Sequence, residues 1–301
     1  MIVGLDLGGT KIRAGVVADG AVVGGLVQRP TPPGDGEAVL DTMVEVIRAV
    51  VGTGGTIGGL GVAATGVIDQ TSGVVMASTS TLDDWHGVDI VAGLRRRLGD
   101  QRLPIATMND VNAYAEAEAW RGAARGVASA LIVAAGTGIG GALIVAGQVW
   151  RGAHWSAGEI GHIPLPGAES LQCLCGCYGH LETVASGKAV ERDYRRRTGR
   201  ALTGAAIAAR AATDPAAGAA LETAGRALGR GLAGVVMTID PEVIILGGGL
   251  SQAGGMWLAA LDQALRAELV GLIRTVPLIV SDLGDAAPII GATRGVVAAV
   301  R

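Results

Sequence analysis

The sequence DLGGTK, residues 6–11, lies between two short runs of β-forming residues, 2–5 and 12–17. An acid ends the first run, two glycines permit a tight turn, and a threonine and a lysine follow. This order is typical of a hairpin that binds phosphate through backbone N–H groups and keeps a carboxylate near a metal ion. The P-loop and the dinucleotide-binding glycine motif both space their glycines differently. An ordinary β-turn is the alternative, and the stretch alone favours it.

The same hairpin pattern recurs 127 residues later in the chain. Gly9-Thr10 aligns with Gly136-Thr137, and the apolar residues on both sides of the turn align as well. The charges do not recur, since Asp6 and Lys11 align with uncharged residues. A chance match between two glycine-rich hairpins is the alternative, but the turn and its apolar flanks both coincide. The repeat therefore predicts two related α/β domains, each able to bind phosphate from its own side.

The composition argues against several classes of protein. Half of the 301 residues are hydrophobic, and a net charge of −3 gives no electrostatic reason to bind nucleic acid or a membrane surface. No basic segment precedes an apolar run at the N-terminus, so we expect a cytoplasmic protein without a signal peptide. Residues 127–150 carry no charge, but the glycines at their centre favour a strand–turn–strand over a membrane span.

The spacing of apolar residues predicts an α/β pattern along the whole chain. Three antiparallel strands come first, and helices then alternate with strands. Predicted strands cover 2–6, 12–18, 21–27, 57–64, 103–107, 242–246 and 277–282, and predicted helices cover 37–51, 88–98, 112–124, 187–198, 202–212, 216–238, 255–269 and 287–300.

Polar residues follow the strand predicted at 103–107. Asn109, Asp110 and Asn112 lie where ligands bind in open α/β sheets. Capping of the next helix is the alternative role, because Asn and Asp are both favoured at that position. Asn112 can serve as the cap as well as Asp110 can, which leaves Asp110 without a structural explanation.

Three glycines, residues 247–249, follow the strand predicted at 242–246. They permit the close approach of a flat or phosphorylated ligand. A plain turn from strand to helix is the alternative.

Residues 151–182 are predicted to be loop-like and hold most of the metal-ligating side chains. Zinc takes four ligands of the imidazole and thiolate type, and the segment offers five: His162, Cys173, Cys175, Cys177 and His180. Three cysteines within five residues do not make a disulfide framework, and in a chain without a signal peptide they favour metal binding. The segment therefore predicts a structural zinc ion that staples this loop.

Seven motifs together resemble the ROK family of sugar kinases and sugar-responsive repressors. They are DLGGTK (6–11), ATGVID (64–69), NDVNA (109–113), GTGIGG (136–141), GEIGH (158–162), CLCGCYGHLE (173–182) and LGGG (246–249). The resemblance implies an α/β fold with two duplicated actin-like (RNase H-like) ATPase domains, a cleft between them and a zinc-stapled loop in the second. We expect the first domain to comprise 1–112 plus 287–301, and the second 113–286.

The same resemblance implies a role for each matching residue in the transfer of phosphate from ATP to a sugar hydroxyl, most simply the 6-hydroxyl. Asp110 would be the general base. The sugar would be bound by Gly66, Thr79, Asn109, Asp110, Glu159, His162 and Glu182. ATP and Mg²⁺ would be bound by Asp6, Gly8, Gly9, Thr10, Lys11, Gly136, Thr137, Gly138, Gly247 and Gly248. Structural Zn²⁺ would be bound by His162, Cys173, Cys175 and His180, with Cys177 as the alternative ligand.

Two departures from the family pattern bear on the metal and on the sugar. His180 stands where the zinc motif of the family has a cysteine, although histidine is also a zinc ligand. Thr65-Gly66 replaces the Pro-Gly of many glucokinases and resembles the N-acetylmannosamine kinase branch. Glucose, mannose, N-acetylglucosamine and N-acetylmannosamine therefore all stay candidates. The family also implies a homodimer or a homotetramer.

Two other functions compete with the kinase. Sugar-sensing repressors of the family carry a helix-turn-helix ahead of the kinase-like body, and here the first hairpin already begins at Asp6. The near-neutral charge also argues against DNA binding. A non-catalytic, zinc-stabilised sugar-binding or regulatory protein is the other possibility, and the presence of both Asp6 and Asp110 argues against it.

Overall fold

A computed structural model describes residues 1–78, 82 and 84–300 of the chain, with side chains up to residue 297. The strands in this part of the chain are β1 (Ile2–Leu7), β2 (Lys11–Ala18), β3 (Ala21–Pro30), β4 (Gly59–Ala64), β5 (Val67–Ile68), β6 (Val75–Ala77), β7 (Ile105–Asn109), β8 (Ala130–Ala135), β9 (Ile139–Val145), β10 (Gln148–Trp150), β11 (Val243–Gly247) and β12 (Leu278–Val280). The α-helices are α1 (Gly36–Val51), α2 (Ile90–Leu98), α3 (Asp110–Arg121), α4 (Glu182–Ala185), α5 (Gly187–Thr198), α6 (Gly204–Ala208), α7 (Pro215–Ile239), α8 (Gly255–Glu268) and α9 (Ala287–Val300).

Two five-stranded sheets share one topology. Their strand orders are β3-β2-β1-β4-β7 and β10-β9-β8-β11-β12. In each, a hairpin of antiparallel strands (β1–β2, β8–β9) is followed by parallel strands on the other side. The shared order confirms the predicted duplication of an α/β domain. It also places the two glycine-rich hairpins at corresponding positions in their sheets.

The chain divides into two compact units. The first comprises residues 1–126, 147–157 and 283–301, and the second comprises 127–146 and 158–282. Each unit has its own apolar core. The sequence-based division placed α3 in the second domain, whereas compactness groups it with the first because α3 packs closely against α9.

Several predicted elements differ from the observed ones in their bounds, and three of the differences have a local cause. The helix predicted at 202–212 is only α6, since the chain turns before Pro215, which starts α7 at its first position. The helix predicted from residue 112 begins at Asp110, because Asn109 caps it. The segment predicted as a loop at 151–182 ends in the first residue of the short helix α4.

The described helices include none that is both long enough and apolar enough to cross a membrane.

Candidate functional site

The first hairpin carries a buried ion pair at its base. Asp6 and Arg13 are directly opposite in the register of β1 and β2. Arg13 Nε and Nη2 donate to Asp6 Oδ2 over 3.1 and 2.6 Å, and both side chains are less than a tenth exposed. Burial raises the pKa of Asp6, and the Arg13 guanidinium acts in the opposite direction. The acid predicted near a metal ion is therefore already partnered by a buried cation.

An exposed acid from the far end of the chain completes this charge cluster. Asp285 lies 2.8 Å from Arg13 Nη1 and 3.5 Å from Lys11 Nζ. Sequence reasoning named Asp6 and Lys11 but missed Arg13 and Asp285. Arg13 could have been recognised as the only charged residue inside a run that is otherwise typical of a buried strand. Asp285 gave no such signal, because its partners lie at the other end of the sequence.

The turn of the first hairpin directs its carbonyl groups towards the scaffold. The Gly8 N–H donates to the Lys11 carbonyl over 3.0 Å. Thr31 braces the same turn: its N–H donates to the Thr10 carbonyl over 3.1 Å, and its hydroxyl donates to the Gly8 carbonyl over 2.7 Å. Within the described residues, the exposed N–H groups of Gly9 and Thr10 have no such acceptor. Free N–H groups in a turn of this kind form a concave site for an anion.

The second hairpin has the same arrangement but uses different anchors. The Gly136 N–H donates to the Gly138 carbonyl over 2.9 Å. At the start of α5, the Gly187 N–H donates to the Gly136 carbonyl over 2.8 Å and the Lys188 N–H to the Thr137 carbonyl over 3.3 Å. Lys188 thus begins beside this turn, although the repeat itself carries no charge. Its Nζ lies 3.0 Å from Glu191 on the exposed surface of α5.

A part-buried hydrogen bond to Glu182 holds the second hairpin. The Ile139 N–H donates to Glu182 Oε2 over 2.9 Å. A Cβ atom at Gly138 would lie 2.3 Å from the same oxygen, and one at Gly187 would lie 2.7 Å from the Gly136 carbonyl oxygen. A side chain at Gly187 would thus clash with backbone, and one at Gly138 would displace the Glu182 carboxylate.

The three glycines at 247–249, two of which are predicted to bind ATP, begin next to this hairpin. Gly247 is the last residue of β11, and Gly248 follows it in the left-handed region. A Cβ atom at Gly248 would lie 2.4 Å from the carbonyl oxygen of Ala135, the residue before the second turn. The packing thus explains this glycine and brings it beside Gly136.

Asn109, not Asp110 or Asn112, caps helix α3. Asn109 Oδ1 accepts hydrogen bonds from the N–H groups of Val111 and Asn112 over 2.9 and 3.2 Å. Its Nδ2 donates to the Gly66 carbonyl over 3.0 Å, which joins two of the residues predicted to bind sugar. Asp110 is the first residue of the helix, where its carboxylate also accepts from the Val111 N–H over 2.9 Å. A negative charge at this position is favoured by the helix dipole.

Four predicted zinc ligands converge in the second unit. The ligand atoms of His162, Cys173, Cys175 and His180 all lie within 4.8 Å of one another. Three separations are short: 3.2 Å between the two histidine Nδ1 atoms, 3.6 Å from Cys173 Sγ to His162 Nδ1, and 3.3 Å from Cys175 Sγ to His180 Nδ1. A tetrahedral zinc ion with its usual bond lengths spaces nitrogen pairs by about 3.3 Å and nitrogen–sulfur pairs by about 3.6 Å. The donor set and its spacing therefore fit zinc, and Cys177 is not part of the group.

Two carboxylates predicted to bind sugar, those of Glu159 and Glu182, lie beside the cluster. His162 directs Nδ1 into the cluster, while its Nε2 lies 3.8 Å from Glu159 Oε2. Glu182 Oε1 lies 3.9 Å from Cys173 Sγ. Burial raises the pKa of the Cys173 thiol to about 11, so binding of a metal ion there must displace a proton.

The predicted site residues thus form one group in each unit. The first unit holds the hairpin at 6–11 together with Gly66, Asn109 and Asp110, and the second unit holds the remaining described ones. Thr79, predicted to bind sugar, lies outside the described residues.

The sequence model of the ROK family matches residues 2–297. The chain belongs to the ROK family. Its relatives include the N-acetylgalactosamine kinase AgaK of Shewanella sp. (strain ANA-3), which is 32% identical over 97% of this chain and 95% of its own. The glucokinase of Thermotoga maritima is 30% identical over the same shares of the two chains.

Solved structures of the family have the same fold. A ROK glucokinase from Streptomyces griseus, in complex with glucose and AMPPNP, superposes with a TM-score of 0.87 at 30% identity and covers 97% of both chains. A ROK transcriptional regulator, a homologue of the E. coli MLC protein, superposes with a TM-score of 0.84 at 25% identity, and this chain covers 76% of it. The fold is therefore the actin-like ATPase fold, as expected, and the family contains both kinases and regulators.

Proposed function

We propose that this ROK protein is an ATP-dependent sugar kinase, which transfers the γ-phosphate of ATP to the 6-hydroxyl of a hexose or an N-acetylhexosamine. The observation that carries the proposal is the position of Asp110. It stands at the carboxyl end of β7, where an α/β sheet binds its ligands, and Asn109 rather than Asp110 caps the helix that follows. The capping role thus belongs to Asn109, while the Asp110 carboxylate accepts from the Val111 N–H in the first turn of the same helix.

Asp110 would act as the general base. A carboxylate that is held within hydrogen-bond distance of a sugar hydroxyl can take its proton as the oxygen attacks phosphorus. The hydrogen bond from Asn109 to the Gly66 carbonyl fixes the neighbouring loop, so the base and two sugar-binding residues would keep a constant geometry.

The two hairpins would bind the phosphates of ATP. In both turns most carbonyl groups accept hydrogen bonds from the protein, and two N–H groups of each turn have no acceptor among the described residues, which suits an anion. Lys11 and Lys188 would add positive charge, one beside each turn. Mg²⁺, which in kinases neutralises the phosphates, would be held near Asp6, the carboxylate that now faces Arg13.

Zinc would be held by His162, Cys173, Cys175 and His180 and would staple the loop. Ligation through Nδ1 fixes the ring of His162, so that Nε2 is left for the sugar beside Glu159. Glu159, His162 and Glu182 would then bind sugar hydroxyls from the second unit.

A coupled assay of ADP release tests the reaction. Glucose, mannose, N-acetylglucosamine, N-acetylmannosamine and N-acetylgalactosamine are the sugars to compare, and absence of turnover on all of them would refute the proposal. Asp110→Asn is expected to lower kcat by at least ~10²-fold through loss of the base. Asp89→Asn is the matched control, because Asp89 caps α2 in the same unit and asparagine caps equally well. Sedimentation of the same protein checks the expected homodimer or homotetramer.

Metal analysis tests the zinc site. Protein purified without added zinc is expected to hold about one ion per chain, since the four ligands form one site. Cys175→Ser is expected to lose the ion and Cys177→Ser to keep it. The reverse result would make Cys177 the fourth ligand, and an absence of zinc from the unmodified protein would refute the site.

A further inference from the structure

We propose that Glu182 is a positioning residue that ties the second phosphate hairpin to the zinc-ligand cluster, so that zinc orders the turn at 136–139. This inference rests on the proposed function only where it assigns the turn at 136–139 to the binding of ATP phosphate. The coupling itself concerns the described residues of the second unit and can be measured without turnover.

On the hairpin side, the connection is made by one carboxylate oxygen of Glu182. Glu182 Oε2 accepts the Ile139 N–H over 2.9 Å, at the point where the turn re-enters strand β9. The absence of a side chain at Gly138 allows this approach, since a Cβ atom there would lie 2.3 Å from the same oxygen. A hydrogen bond to a charged acceptor is among the stronger ones in proteins.

On the cluster side, the connection runs along the backbone from His180 to Glu182, two residues later. His180 is a member of the cluster, and its carbonyl accepts from both the N–H and the hydroxyl of Thr183, over 3.0 and 2.7 Å. These bonds fix the start of α4, of which Glu182 is the first residue. A zinc ion bound by the His180 ring would therefore also restrain the stretch of backbone from which Glu182 extends.

A second connection closes the network beyond α4. Ser186 caps α5, and the first N–H groups of that helix donate to the carbonyls of Gly136 and Thr137. The turn is thus held at both ends by one short segment, 182–188, that begins two residues after a zinc ligand. Loss of zinc is expected to loosen this segment and, with it, the turn.

Hydrogen exchange, followed by mass spectrometry on peptides that cover 136–141, tests the coupling. In zinc-loaded protein, Glu182→Ala is expected to speed exchange at these amides by about tenfold or more, because the Ile139 N–H loses a charged acceptor. Glu182→Gln keeps an acceptor oxygen and is expected to restore most of the protection. Peptides that cover 8–12 in the first hairpin are the internal control and should not change.

Removal of zinc with a chelator gives the second comparison. It is expected to speed exchange at 136–141 in the unmodified protein, and to add less than about twofold in Glu182→Ala, where the connection is already broken. Equal effects of chelation in both proteins, or unchanged exchange in zinc-loaded Glu182→Ala, would overturn the proposal. If chelation unfolds the whole unit, peptides of β11 show it, and Cys175→Ser, which is expected to lose the ion, then takes the place of chelation in the same comparison.

A nucleotide measurement links the coupling to function. The affinity for a non-hydrolysable ATP analogue, measured without sugar, is expected to fall several-fold in Glu182→Ala and to recover in Glu182→Gln. Faster exchange with unchanged nucleotide affinity would refute the link to the nucleotide but leave the coupling intact. A lack of kinase activity in the unmodified protein would instead count against the proposed function alone.

Discussion

The two glycine-rich hairpins occupy corresponding positions in their sheets, but different residues hold their turns in place. Within the described residues each turn has N–H groups without an acceptor, yet the first hairpin is held by a buried ion pair and the second by hydrogen bonds to Glu182 and from the start of α5. At the first, Asp6 and Arg13 form a buried ion pair between the strands. At the second, Glu182 and the start of α5 contact a turn that has no charge of its own. A duplicated motif thus keeps its strand–turn–strand topology while the residues that hold the turn are replaced.

The largest effect on stability is expected from breaking the charge pair of the first hairpin. Arg13→Ala leaves a buried carboxylate without a cation, which costs about 3–5 kcal/mol in the free energy of unfolding at neutral pH. Burial already raises the pKa of Asp6, and loss of the arginine raises it further. The native state then takes up a proton at a higher pH than the unfolded chain, so the loss should shrink as the pH falls through this raised pKa.

Urea denaturation at two pH values measures this effect. Asp6→Asn combined with Arg13→Ala removes both charges and should recover part of the stability. Lys11→Ala is the matched control, because its ion pair with Asp285 is exposed and should matter by less than about 0.5 kcal/mol. If Arg13→Ala lowers the free energy of unfolding by less than about 1 kcal/mol, the ion pair does not stabilise the first hairpin.

A smaller effect is expected from a methyl group added to the second hairpin. Gly138→Ala puts a Cβ atom against Glu182 Oε2 and should cost about 1–3 kcal/mol, as overpacked sites do. Gly136→Ala, two residues away, has open space around its Cβ position and should change the free energy of unfolding by less than about 0.5 kcal/mol. Thermal or urea unfolding of both variants gives the comparison. Equal stability of the two variants would show that the Glu182 side chain can move away from the added methyl group without lowering the free energy of unfolding.

The smallest effect is expected from the brace of the first turn. Thr31→Val removes the hydroxyl that donates to the Gly8 carbonyl and should cost about 1 kcal/mol, while Thr31→Ser keeps the donor. The second turn has no equivalent sensitivity, because backbone N–H groups of α5 make the corresponding bonds. Comparison of Val and Ser variants by urea unfolding checks this. Equal stabilities would assign the bracing to the backbone in both hairpins.

Local patterns in the sequence predicted the strands, both turns and the His/Cys cluster. The hairpins were recognisable because strand, turn and strand are contiguous, and the cluster because four of the five candidate ligands lie within eight residues. Contacts between distant residues were not recognisable. Asp285 reaches Lys11 across 274 residues, and Glu182 reaches Ile139 across 43.

The alignment of the two hairpins also concealed a difference in their loops. The last pair of the first hairpin, Leu7 and Ile12, encloses four residues, 8–11. The last pair of the second, Ala135 and Ile139, encloses three, 136–138. A constant shift of 127 in the sequence cannot predict this, because each loop is set by the anchor that meets it. The cap of α3 was hidden for a similar reason: Asn109, Asp110 and Asn112 all have suitable side chains, and only the backbone selects Asn109.

The distribution of lysine has a practical consequence. The chain contains only two, Lys11 and Lys188, and each lies beside one of the hairpins. Both side chains are about half exposed or more. An acylating reagent that reacts with side-chain amines would therefore label the two turns and no other lysine. Its two modified peptides would report separately on each turn, so that a single mass spectrum could follow how a ligand shields one hairpin, the other, or both.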